Sequence, residues 1–548
     1  MAYYQQQSAP PPPQGFYAAP PPPPPPQQAG YYGQQPYAPD NAYQGAPPPP
    51  QYQPYEQQQQ QQYAQPPPQA QPHQSSGGYE KFSAKVRFND LWAAILFFVH
   101  LAGFIVLAAF AVPKGFKSTT KGIIPSTQGG SGSSDITQFV VMMAVAAVIS
   151  FVLSMLYLLA MQRFAGPMIK ITFVLAIILY FVMAALLFVK GSRIGAIIML
   201  ILGFLNMLMF WLWRSRIPFA TVMLETVCSV TRKYGGTIGV SVGGLVLQMA
   251  WIFLWLVTAV GVFGLFDDQR QNCTTRIVNG RQQRVCQNSG LPAAGYVVFV
   301  FTLFSLYWTS QVLSNVIHVT ICGVFGTFYF LEGTAQMPAG SITLGSLKRA
   351  VTSAFGSICF GSLIIAIVQT IRAVVRSLAE SDDGILAFVA CIFACLLAYI
   401  ESLIEYFNRY AFAQVAIYGK PFCPAARDTW TMIKDRGVEA IINDNLIGNV
   451  LGVGTLLIGA LTATIGYLYL LSKGAAFFDR NYSYAIAAIV ACFLIGLAMM
   501  SLVAGVIDSG VVSTFVALAE DPMALARTKP ELFERIRQTW PDVVVGVN

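Results

Sequence analysis

Charge is what this sequence has least of. Lys, Arg, Asp and Glu together fill 11% of its 548 positions, against about a quarter in soluble domains. With 55% hydrophobic residues and several uncharged runs of membrane-spanning length, the chain cannot keep its surface in water, which excludes a soluble globular fold. Histidine is scarcer still, at three residues. Neither H-E-x-x-H, a P-loop nor a paired metal-ligand motif occurs, so no metal and no cofactor is expected. The formal charge of +8 would suit nucleic acid, but the basic residues are scattered between apolar runs rather than gathered in a stripe. The expected partner is a lipid bilayer, with no nucleic acid.

Residues 1–79 lack Lys and Arg altogether, carry only Asp40 and Glu56 as acids, and are filled by Pro and Gln runs and eleven Tyr. Such a segment cannot bury enough apolar surface to offset its ordering entropy, so a disordered tail rich in polyproline II is expected. It has no apolar h-region and does not read as a cleaved signal peptide. Pro49-Pro50-Gln51-Tyr52 matches the PPxY ligand of WW domains, which implies a WW-containing ubiquitin ligase as a partner. Composition alone also yields such matches by chance.

The rest is read as an all-α polytopic membrane protein of about ten transmembrane helices: a transporter domain over 80–519 and a cytosolic C-terminal tail over 520–548. Apolar runs lie at about 91–112, 136–160, 167–189, 194–213, 237–266, 295–321, 350–371, 385–405, 446–471 and 483–507. Stretches 216–234 and 424–443 mix charge with apolar residues and read as interfacial helices. Lys81, Lys85 and Arg87 precede Asn89 and Asp90, either of which can cap the first span, and favour a cytosolic N-terminus. Ten spans return the C-terminus to the same side. The loop 267–294 then falls outside, with a sequon at Asn272 and with Cys273 and Cys286 thirteen residues apart, so glycan and a disulfide are expected there. Asn481 begins a second sequon outside.

Polar residues inside apolar runs mark the candidate site. Trp308, Gln311, Asn315, His318 and Cys322 recur at steps of three and four on one helical face. Such groups are costly beside lipid, so this face lines a cavity or another helix. Gln248, Trp251 and Trp255 share a face of the fifth span, and Tyr307 and Trp308 lie at a similar depth in the sixth. Two aromatic pairs at one depth can wall a cation site, or simply pack. Glu401, Glu405, Asn408 and Phe412 share a face of the eighth span. Glu405 and Arg409 have the i,i+4 order of an ion pair. Glu401 has no evident partner in sequence and is the better candidate to balance a cation or carry a proton. His318 reads equally as a gate, a coupling residue or an interfacial histidine. Gly239-Val240-Ser241-Val242-Gly243 fits G-x-S-x-G, but no strand precedes it to form a hydrolase elbow; no enzyme is expected.

The stretches YWTSQVLSNVIHVTICGVFGTFYF (307–330), GSLKRAVTSAFGSICFGSLI (345–364) and ESLIEYFNRYAFAQVAIYGKPFCPAARDTW (401–430) resemble the choline transporter-like family, most of all its fungal branch, the pH-nine-sensitive proteins. The resemblance covers about residues 80–548. It implies a ten-span plasma-membrane protein with both termini cytosolic that moves choline or a related organic cation, with exchange against protons as a further expectation. Animal members carry a large cysteine-bearing loop between the first two spans; here 113–135 is short and without Cys. A second class of function stays open, a membrane scaffold or trafficking adaptor working through the N-terminal tail.

Overall fold

The computed structural model describes residues 88–123, 132–265, 271–278, 281–288, 293–379, 384–472 and 482–541. The WW ligand at Pro49, Pro50 and Tyr52 and the sequon at Asn481 lie outside the described residues, as do the side chains of Asn272, Cys273 and Cys286. The helices are α1 (Leu91–Ile123), α2 (Gly132–Val189), α3 (Arg193–Trp213), α4 (Ile217–Lys233), α5 (Gly236–Leu265), α6 (Ala293–Leu331), α7 (Ile342–Val351), α8 (Phe355–Ala379), α9 (Gly384–Tyr418), α10 (Phe422–Leu471), α11 (Tyr482–Glu520), α12 (Pro522–Thr528) and α13 (Pro530–Thr539). A two-stranded antiparallel hairpin, β1 (Gln271–Val278) and β2 (Arg281–Asn288), joins α5 to α6. Its register sets Cys273 opposite Cys286. The all-α expectation holds for the membrane body. The hairpin was foreshadowed only by Asn279-Gly280, the dipeptide that two-residue hairpin connections favour.

Nine described helices are long and apolar enough to cross a membrane, where ten spans were expected. The difference lies in α2, which holds non-helical backbone at Phe164 (φ −128, ψ 34) just before Pro167. Its apolar part runs for 49 residues, roughly 70 Å of helix against a hydrocarbon core of about 30 Å. The stretches on either side of the kink are each long enough for one pass, so nine helices account for ten spans. Before the kink Met142 and Ala146 pack on α10 and α11; after it Phe173 packs on Phe210 of α3 with ring centroids 5.2 Å apart.

Two further expectations are corrected. Stretch 216–234 forms α4, but Phe219, Met223, Leu224 and Val227 are buried in the main core, so it is a packed helix rather than a surface one. Stretch 424–443 does not form a separate helix: it is continuous with the ninth span as the 50-residue α10. That helix cannot be straight. Phe422 and Asp444 would then be roughly 33 Å apart, yet the Phe422 ring lies 5.6 Å from Phe412 while Asp444 accepts from Tyr410 Oη at 2.6 Å. Tyr410 and Phe412 are two residues apart on α9.

One end of the bundle collects both ends of the described chain. The Asn89 backbone N–H donates to Ser353 O (3.1 Å) and its amide to Gly419 O (2.8 Å). Asp90, at φ 50, does not cap its own helix as expected. Its Oδ2 accepts from Ser357 Oγ (2.6 Å) and from the backbone N–H of Phe422 (2.8 Å), capping α10 from another segment. Phe330 meets Tyr418 (6.1 Å), Tyr329 Oη donates to Asp521 O (2.9 Å), and Trp540 packs on Phe219 (5.0 Å). This terminal end lies opposite the hairpin end, where α1 and α5 touch so closely that a Cβ on Gly261 would sit 2.0 Å from Ala111 O. Asp90→Ala leaves the Phe422 N–H without an acceptor. It is expected to destabilise the purified protein by about 1–3 kcal/mol, read as a lowered thermal midpoint in detergent.

Candidate functional site

A cavity of about 690 Å³ opens among α5, α6, α8, α9 and α11, within the usual range of small-molecule sites. The sequence makes this possible by seating amides and hydroxyls on the inward faces of otherwise apolar helices. Gln248 of α5 donates to Ser310 of α6 (2.8 Å), Asn315 of α6 donates to Ser362 of α8 (3.0 Å), and Asn408 of α9 donates to Gly361 O (3.0 Å). Each bond satisfies a group that hydrocarbon would leave bare, and each ties two walls together.

The carboxylates are arranged the other way round from the sequence expectation. Glu401, read as lacking a partner, pairs with Arg372 of α8 at 2.5 Å and accepts from Gln369 at 3.0 Å. It does not line the cavity. Glu405, read as the partner of Arg409, lines the cavity without that ion pair. Its Oε1 accepts from Gln369 (3.3 Å) and Gln311 (3.4 Å), and no hydrogen bond reaches Oε2 among the described residues. Arg409 instead gives Nη1 to both oxygens of Asp508 on α11, at 3.0 Å each. Neighbouring helices offer closer geometry than the next turn of α9, so tertiary partners override the i,i+4 spacing.

His318 forms part of the cavity floor. Its Nδ1 lies 2.8 Å from Ser509 Oγ and its Nε2 2.9 Å from Arg409 O. Both ring nitrogens are therefore occupied by groups from α9 and α11, and Cys322 Sγ lies beside the ring at 3.6 Å.

The four aromatic side chains are not gathered. Tyr307 lines the cavity. Trp308, 1% exposed, turns into the packed core against Phe97 (5.3 Å) and His100 (4.8 Å) and donates to Cys359 O. Trp251 packs on Phe104 (4.8 Å), and Trp255 donates to Thr302 O (2.8 Å). Residues 307 and 308 are about 100° apart around the helix, so both cannot face one space. The cavity thus brings together Gln248, Tyr307, Asn315, His318 and Glu405, and leaves out Trp251, Trp255, Trp308 and Glu401. Ser241 also lines it, but from inside the continuous α5, not from a strand-to-helix elbow.

Several lining residues were missed. Asp508 is the sole charged residue of α11 before Glu520, a signal of the same kind that drew attention to Glu401; the expected span simply stopped one residue short of it. Gln369, Ser310 and Ser501 carry no such signal, because a lone amide or hydroxyl in an apolar run is common. Trp255→Phe removes the donor to Thr302 O. It is expected to lower stability by about 0.5–1.5 kcal/mol, read as a lowered thermal midpoint in detergent.

Known proteins give an independent view of the chain. The family model described as plasma-membrane choline transporter matches residues 197–523, which includes every cavity-lining residue. Protein PNS1 of Mycosarcoma maydis is 32% identical over 474 residues, 86% of this chain and 86% of that protein. Protein PNS1 of Cryptococcus neoformans var. neoformans is 34% identical over 482 residues, 85% of each. That of Gibberella zeae is 34% identical over 472 residues, 84% of each.

Proposed function

Because this chain belongs to the choline transporter-like family of multi-pass membrane proteins, we propose that it carries choline or a related organic cation across the plasma membrane, with the Glu405 carboxylate as counter-charge. One observation supports this above the others. Glu405 stands in a cavity of about 690 Å³ with Oε1 held by two glutamine amides and Oε2 without a hydrogen-bond partner among the described residues. A carboxylate so placed within a membrane bundle is costly without a mobile cation to balance it.

The neighbours assign the remaining roles. Gln311 and Gln369 position the carboxylate, while the Arg372–Glu401 pair fixes Gln369 from behind. Tyr307 supplies one aromatic face for the ammonium; the amide and hydroxyl wall formed by Gln248, Ser310 and Asn315 suits a hydroxyl on the same substrate. Arg409 is neutralised by Asp508, so the floor does not repel a cation. Proton exchange belongs to the same proposal: Glu405 forms no direct ion pair among the described residues and can hold a proton when the substrate has left. The terminal end then faces the cytosol and the hairpin faces outward. There the opposed Cys273 and Cys286 are proposed to form a disulfide and Asn272 to carry glycan.

Binding of radiolabelled choline to the full-length protein in nanodiscs tests the site. Glu405→Gln is expected to weaken it by about tenfold or more, equivalent to about 1.4 kcal/mol, and to flatten the pH dependence of uptake. Tyr307→Leu should cost about 2- to 10-fold. Unchanged choline binding in Glu405→Gln would overturn the assignment. The hairpin is tested separately: Cys273 and Cys286 should resist alkylation until the protein is reduced.

A further inference from the structure

The cavity has a solid floor. Every residue of α6 from His318 to Leu331 is buried, and so is every residue of α11 from Ser509 to Leu518, whereas Ser314, Ser501 and Gly505 nearer the hairpin end are exposed. A solute can leave at the terminal end only if this packed layer parts. Just beneath it, one carboxylate joins three segments of the chain. Glu332, directly after α6, accepts from Lys233 Nζ and from Tyr234 Oη (3.1 Å) at the α4–α5 junction, and lies 3.6 Å from Lys529 Nζ between α12 and α13. Lys529 also sits 4.3 Å from the centre of the Phe328 ring, and burial lowers its pKa against the pull of Glu332. The following helix reaches back to α4 through Arg535 and Glu225 (2.7 Å), and Trp540 stacks on Phe515 (6.1 Å).

We propose that Glu332 is the latch of a gate at the terminal end. Its contacts with Lys233, Tyr234 and Lys529 hold the cavity-lining helices α5 and α6 together, and the C-terminal segment must release them before the floor beneath His318 opens. The proposal rests on the transport reading, since only a carrier needs that floor to part. Tyr234 leads directly into α5 and Glu332 directly follows α6, the two helices that form much of the upper cavity wall, so breaking the latch frees the two helices that must separate. Lys233 is exposed, 57% accessible, so its contact contributes modestly and can be exchanged for water as the layer opens.

The chain contains its own reporter. Cys322 is buried in the floor, its Sγ 3.5 Å from Ser509 O, and Ser513 donates to its carbonyl at 3.0 Å. The rate at which N-ethylmaleimide labels Cys322 in the full-length protein, followed by peptide mass spectrometry, therefore reads floor opening. Glu332→Gln is expected to raise that rate by roughly two- to tenfold. Glu332→Lys should raise it further, and combining it with Lys233→Glu and Lys529→Glu should return it toward the parent value. The parent protein itself should label faster at about 0.5 M salt than at low salt, a measurement that needs no variant to fold. A parental rate in Glu332→Gln, a salt-insensitive parent, or a triple variant as reactive as Glu332→Lys would each overturn the latch. None of these readouts involves substrate, so their failure leaves the Glu405 assignment standing. Conversely, unchanged choline binding in Glu405→Gln leaves the labelling result intact.

Discussion

A polar group inside hydrocarbon must find its partner within the protein, because no water is there to supply one. That constraint organises this chain more than hydrophobic burial does. Large apolar side chains such as Phe110, Phe188 and Trp211 stay exposed, since lipid satisfies them as well as a core would. The specific choices of helix neighbour are made by the few amides, hydroxyls and charges. Gln248 chooses Ser310, Asn315 chooses Ser362, and Arg409 chooses Asp508. Between them they bring five helices together around one space.

The same constraint explains why Glu401 and Glu405 exchange character. Both lie on one face of α9, a turn apart. Arg372 on α8 pairs directly with the first, whereas the second is bonded by the amides of Gln311 and Gln369. Glu401 becomes part of the wall; Glu405 keeps an oxygen for a visitor. The difference between a structural carboxylate and a functional one is thus decided by residue 372, on another helix.

The number and place of the apolar runs were legible in the sequence because length and composition suffice for them, and α2 was divided into two runs on either side of its kink at Phe164. The inward face of α6 was also legible, since polar residues at helical spacing can hide from lipid only together. What sequence could not supply was rotation between adjacent residues and pairing between distant ones. Trp308 looked like a cavity wall beside Tyr307, yet it points elsewhere. The two interfacial stretches were recognised as amphipathic, but how deeply α4 is buried depends on α2 and α11 closing over it, with Trp540 on Phe219, whose approach no local pattern records.

The Asp90 cap carries a consequence for how the protein is made. Its partners lie 267 and 332 residues later in the chain, and the neighbouring Asn89 amide bonds a carbonyl 330 residues away. At ribosomal speeds of about 5–20 residues per second, roughly 15–70 s separate the emergence of the two sides. During that interval α1 holds a carboxylate at its edge whose partners have not yet been made. Maturation of the bundle is therefore tied to the arrival of α10, and a chain truncated before it would present quality-control machinery with an open terminal end at Asn89 and Asp90.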